Sequence, residues 1–172
     1  MRTKAFAMKQ IILLLFILSQ FVLYTNAQQF SQAVGIRGGV TSGLEYRFYT
    51  SDLNSYKILL STRDRGAQVS VFKEFHRYEI ADFSEQLIFI FGVGLHAGFE
   101  RWHKRHCNVP YTWYEPRMSF LTGLDGLAAL EYVFAELPVA AGIEVKPYFD
   151  VWGREGLRIR LFDFALTVKY LF

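Results

Sequence analysis

Three groups of residues in this 172-residue chain have types and spacing that could do chemistry. The first is a series of charges recurring at alternate positions: Arg37, Glu45, Arg47, Lys57, Arg63, Glu74, Glu100, Asp125, Glu131, Glu144, Lys146, Asp150, Asp163 and Lys169, with His76 and His96 in the same phase. Six bases and eight acids enclosed together would form either a path for protons or ions or a plug of paired charges. Enclosed charges must pair, because an isolated one costs several kcal/mol. The second group is His103, His106 and Cys107, flanked by Trp102, Tyr111, Trp113 and Tyr114. Imidazole and thiolate suit zinc or copper, but a structural zinc site takes four ligands and only three are local. A solvated loop with aromatic anchors is the plainer expectation, and no metal or cofactor is assigned. The third is His96, which no Ser or Asp accompanies in the sequence as a nucleophilic arrangement would require, so no catalytic residue is expected. Gly92, Gly94 and Gly98 lie inside an alternating run rather than before a helix, which excludes a phosphate-binding glycine loop.

The elements that must position these charges alternate with period two. The last eleven residues show it best. Phe162, Phe164, Leu166, Val168, Tyr170 and Phe172 form one set, and Asp163, Ala165, Thr167, Lys169 and Leu171 the other. Such a run is a strand with different surroundings on its two faces. Similar runs follow from Val34, Leu44, Tyr56, Ala67, Leu87, Leu124 and Val139, separated by turn signals such as Thr41-Ser42-Gly43 and Asp64-Arg65-Gly66. Eight strands are expected. Segment 101–117 reads as a long connection between the fifth and sixth, and 152–155 as the last loop. The alternation changes parity near Leu161-Phe162, which predicts a bulge or strand start there.

Residues 1–27 read as a secretory signal peptide: Arg2, Lys4 and Lys9, then an apolar run over 11–22, then Thr25-Asn26-Ala27 before the expected cut. Met8 is an alternative start. The domain proper is then 28–172. Without three bases and no acids, its 16 Lys and Arg balance 16 Asp and Glu, so the basic pI supports no nucleic-acid partner. The single Cys107 excludes an internal disulfide framework. No later run is long and apolar enough for a spanning helix.

Eight alternating strands fit a soluble lipocalin-like barrel or a membrane barrel, according to which set points inward. Three features favour the membrane. Aromatics (Tyr46, Phe48, Phe75, Phe99, Phe134, Tyr170, Phe172) stand near strand ends on the apolar set, where interface girdles belong. The polar set is rich in glycine, as a narrow interior requires. Charges almost vanish from the apolar set, Lys73 excepted. The expected fold is an all-β, eight-stranded antiparallel up-and-down transmembrane β-barrel preceded by a signal peptide.

On these residues, and on the terminal pattern Leu166, Val168, Tyr170 and Phe172, the chain resembles the small eight-stranded outer-membrane proteins of Gram-negative bacteria, such as OmpX and the transmembrane domain of OmpA. The resemblance implies a cell-outer-membrane location, lipid contact, and recognition of the terminal aromatic motif by the barrel-assembly machinery with periplasmic chaperones. Such a barrel is just wide enough to be filled by side chains. Arg37, Glu45, Arg47, Asp125, Glu131, Glu144, Lys146, Asp163 and Lys169 are the expected interior network, with Glu131, Glu144 and Lys146 joined across the barrel to Arg37, Arg47 or Lys169. Trp102, His103, His106, Cys107 and Trp113 are expected in an extracellular loop, which could contact lipopolysaccharide or a host surface. The expected role is structural or surface-interacting, with a narrow channel as the alternative. A lipid A-modifying enzyme and a soluble lipocalin-like binder rank behind both.

Overall fold

The computed structural model describes residues 30–63, 65–78, 86–108, 111–153 and 156–172; the expected signal peptide and its cut lie outside the described residues. Ten strands follow in order: β1 (Gln32–Gly39), β2 (Gly43–Ser51), β3 (Asn54–Arg63), β4 (Gly66–Arg77), β5 (Leu87–Asn108), β6 (Tyr111–Val133), β7 (Val139–Val145), β8 (Tyr148–Trp152), β9 (Arg158–Arg160) and β10 (Phe164–Leu171). Each consecutive pair from β1 to β7 is antiparallel, β7 pairs with β10, and β10 returns to β1 with Ile36 opposite Val168. The sheet therefore closes on itself as eight staves, and closure removes the edges that an open sheet would expose. β8 and β9 continue the staves begun by β7 and β10.

Both interruptions have a local cause. Pro147 separates β7 from β8; it lacks an N–H and cannot donate to the ladder. Its carbonyl still accepts from Gly126 N at 2.8 Å, and Lys146 N donates to Asp163 O at 3.0 Å, so the wall stays continuous. The break at residues 161–163 falls where the parity change predicts it. It leaves Phe162 and Phe164 stacked outside, 5.9 Å apart, and Asp163 fully buried between them in sequence.

One expectation about the connections is overturned. Segment 101–117 is not an open loop. Its pairing continues unbroken from Arg101↔Met118 through His103↔Pro116 to Asn108↔Tyr111. β4 stops pairing with β5 at Phe99 and β8 with β6 at Thr122. Beyond those points β5 and β6 leave the wall as a two-stranded ribbon. Its nine β5 residues rise by roughly 30 Å at about 3.4 Å each. The last loop follows β8, which runs to Trp152, and Asp150 points into the interior in the phase its alternation implies.

The barrel is inside-out by the standard of a water-soluble domain. Ile36, Leu44, Val93, Leu166 and Val168 are 48–66% exposed on the outer wall, whereas Lys57, Glu74 and Lys146 inside are 0% exposed. Soluble proteins almost never bury such charges while exposing a continuous apolar wall. Lys73, with Nζ 5.5 Å from the Phe75 ring, and Arg77 at the end of the same strand are outward exceptions on β4. Ser31 N and Gln32 N donate to Phe172 O at 3.1 and 2.9 Å, so the first and last staves meet at one end of the barrel. The ribbon leaves from the other end. Among the described residues no helix is long and apolar enough to cross a membrane, which leaves crossing by strands open.

Candidate functional site

Because side chains alternate along each stave, the interior collects one residue in two from every strand. Five cations and five anions meet in its central part. Arg47 on β2 contacts Glu74 Oε2 at 2.7 Å through Nε and Glu131 Oε1 at 2.9 Å through Nη1. Lys169 on β10 reaches Glu131 Oε2 at 2.5 Å and Glu45 Oε1 at 3.1 Å. Lys57 on β3 crosses the barrel to Glu144 Oε2 at 2.5 Å and lies 3.3 and 3.5 Å from Glu45 and Glu74. Arg37 on β1 joins Glu144 Oε1 at 2.9 Å and Asp163 at 3.3 Å, and also donates to the Thr41 carbonyl. Thr41 Oγ1 donates in turn to Asp163 Oδ2 at 2.6 Å, with Lys146 Nζ 3.6 Å from the same oxygen. The charges of Arg37, Arg47, Lys57, Lys146 and Lys169 against Glu45, Glu74, Glu131, Glu144 and Asp163 cancel. A buried cluster can be tolerated only on those terms.

A second cluster lies nearer the ribbon. Arg63 forms a two-pronged pair with Asp150, with Nη1 3.0 Å from Oδ1. His96 Nδ1 lies 2.8 Å from Asp125 Oδ1, and its Nε2 lies 2.9 Å from Asp150 Oδ1. Both ring nitrogens therefore face carboxylate oxygens. With both carboxylates ionised, the geometry is satisfied at both by an imidazolium, which donates twice. That state also balances Arg63 and His96 against Asp125 and Asp150. Gly123, opposite His96, makes room for the ring: a Cβ there would stand 2.8 Å from His96 Cε1 and 2.0 Å from the Phe149 carbonyl oxygen.

The sequence reading lacked two features of this interior. One is an apolar wedge, Leu59, Phe72, Ile88, Ile90, Leu127 and Ala129, which fills the side formed by β3 to β6. Gly94 accommodates the Phe72 ring opposite it, since a Cβ would lie 2.6 Å from Phe72 Cδ1. The other is the contact of Ser55 with His76, whose inward phase was read without this partner, near the end where the termini meet. Ser55 Oγ donates to Glu74 Oε2 at 2.8 Å and lies 2.8 Å from His76 Nε2. Only the register Ser55↔Glu74 brings them together, so no sequence spacing announces the trio. Above His76 a cavity of about 580 Å³ opens at the mouth, lined among others by Tyr49, Asp52, Tyr78, Ile88 and Val133. The Tyr49 ring in its lining is 5.5 Å from that of His76 and 5.7 Å from the Arg47 guanidinium.

On the ribbon, His103 pairs with Pro116 and His106 with Trp113. Three residues apart on a strand, the two histidines face opposite ways. His106 Nε2 lies 3.1 Å from Glu115 Oε2, and Arg117 Nη2 3.0 Å from the same oxygen. The Arg117 hydrogen bond, then that of His106, holds the Glu115 carboxyl below its ordinary value. Cys107 pairs with Thr112 through the backbone; its side chain and that of Trp113 lie outside the described residues. Trp102 is half-buried at the ribbon's base. Among the described residues no three His, Cys, Asp or Glu side chains gather as metal ligands. Leu166, Val168 and Phe172 are exposed on the outer wall, and Tyr170 stacks on Phe172 with ring centres 6.2 Å apart.

No family model matches the chain, and neither does any curated protein. Among solved structures the chain is similar to the crystal structure of the N-terminal β-barrel domain of Pseudomonas aeruginosa OprF, at 15% identity and a TM-score of 0.48, over 82% of this chain and 95% of that one. The closed eight-stave barrel itself rests on the strand register described above.

Proposed function

We propose that this chain is an integral β-barrel of a Gram-negative cell outer membrane, with a filled interior that acts as a structural plug and a surface-interaction role carried by its ribbon. The inside-out wall carries this reading. A band of Ile, Leu, Val and aromatic side chains encircles neutralised charges, which is what a lipid solvent demands and water penalises. In that setting the meeting point of the termini faces the periplasm and the ribbon faces outward. Outer-membrane lipid is the immediate partner. Phe172 with Tyr170, Val168 and Leu166 would be the signal read by the barrel-assembly machinery after chaperone delivery.

A non-enzymatic role fits the interior. The nearest approach to a nucleophile and base, Ser55 and His76, is 1% and 2% exposed, and the serine proton points at Glu74 rather than at the imidazole. The test is to isolate the protein from outer membranes and compare its gel mobility with and without boiling. A heat-dependent shift in the outer-membrane fraction is expected. Full solubility without detergent would return the chain to a soluble barrel.

A further inference from the structure

The two faces of the ribbon differ in a way that the barrel does not require. On the face continuous with the apolar wall, successive rungs are Phe99↔Phe120, Arg101↔Met118, His103↔Pro116 and Arg105↔Tyr114. Above the aromatic rung each pair sets one base beside one apolar partner, about 7 Å from the next. Arg101, His103 and Arg105 are exposed, as are Met118 at 62% and Tyr114 at 61%. No carboxylate stands on this face, and among the described residues no ion pair engages those three bases. Glu115 lies on the opposite face, where it pairs with Arg117 and contacts His106.

We propose that this face binds the phosphate groups of outer-leaflet glycolipid. The inference rests on the membrane reading above and deepens it by naming the partner. The bases begin one rung above Phe99 and Phe120, at the level where an outer leaflet changes from acyl chains to phosphorylated headgroups. Arginine forks suit phosphate oxygens. Their apolar neighbours suit the upper acyl and sugar surface of the same molecule, whereas a soluble polyanion would have no use for Met118 and Tyr114.

The test reconstitutes the membrane-extracted protein into vesicles of phosphatidylcholine with either bisphosphorylated lipid A or lipid A stripped of its phosphates. Lipid retained on re-extraction is then measured by native mass spectrometry. Phosphorylated lipid A should be retained in preference. Removing two interfacial cations in R101Q/R105Q should lower that preference about thirtyfold, at roughly fivefold per cation. K104Q, on the other face, should leave it within about twofold. Equal retention of the dephosphorylated lipid, or an unchanged R101Q/R105Q protein with its heat-modifiable mobility intact, would overturn the proposal. So would tighter binding of heparin than of lipid A, which would mark a soluble-polyanion site. Failure of the unsubstituted protein to insert into vesicles would instead overturn the membrane reading, and this proposal with it.

Discussion

Glu131 is the most informative interior residue to remove. It is 1% exposed and accepts from both Arg47, four staves away on β2, and Lys169, two staves away on β10. Deleting one member of a buried pair typically costs about 3–5 kcal/mol, because the partners stay buried without compensation. Glu131→Ala should fall in that range. It leaves Arg47 with Glu74 and Lys169 with Glu45, but turns a balanced cluster into one with an excess cation. Lys169→Ala should cost a similar amount for the opposite reason. The double variant restores the balance, so its loss should fall short of the sum of the singles by about 1–3 kcal/mol, the usual coupling between groups in one network. The assay is urea unfolding in detergent micelles, followed by tryptophan fluorescence and gel mobility. For a slope of about 2 kcal/mol per molar, each single variant should lower the midpoint by roughly 2 M. Singles costing under about 1 kcal/mol that add without coupling would refute the plug, because charges lining a wet channel are screened and act independently.

Leu166→Arg, at a position 66% exposed on the outer wall, should destabilise the inserted barrel by about 2–4 kcal/mol, as measured by the same unfolding titration. Gly123→Ala forces a Cβ to within 2.0 Å of the Phe149 carbonyl oxygen and should cost about 1–3 kcal/mol, whereas alanine at Gly38, where a Cβ meets nothing within 4 Å, should be close to neutral. Deleting Phe172 removes the acceptor of Ser31 N and Gln32 N and the stacking partner of Tyr170; it should impair membrane insertion, read as loss of the heat-modifiable form in cells, more than it alters lipid retention by whatever protein inserts. Glu115 has its folded value depressed, so its pairing with Arg117 and His106 should be complete above the unfolded carboxylate value of ~4.3 and lost as pH falls through the lower folded one. Protection factors of the ribbon amides, corrected for the intrinsic exchange rate at each pH, should be steady down to about pH 5 and fall only below that range.

The barrel wall was legible because every stave sets apolar against polar at alternate positions, and closure follows once both ends of the chain read as strands. The ribbon was not legible for the same reason in reverse. Arg101, His103 and Arg105 alternate with Trp102, Lys104 and His106, so neither set is apolar and the period leaves no trace. Pro116 is a further residue that a paired strand ordinarily excludes. It is tolerated because β6 has no second neighbour at that height, so the missing N–H breaks no ladder. The phase of the interior charges was readable, but their partners were not: Lys57 meets Glu144, 87 residues away, only because strand tilt and register set them at one height. The apolar wedge was hidden by treating the inward set as uniformly polar, although Leu59, Ile88, Ile90 and Leu127 all stood in it.

The central claim is that the outer wall is solvated by lipid. A cysteine in place of Leu166, in a chain whose Cys107 is serine, can carry a small fluorophore in protein reconstituted into vesicles. The account predicts quenching by a nitroxide carried on the lipid acyl chain and protection from aqueous iodide. Efficient quenching by iodide, with no effect of the lipid-borne nitroxide, would contradict it.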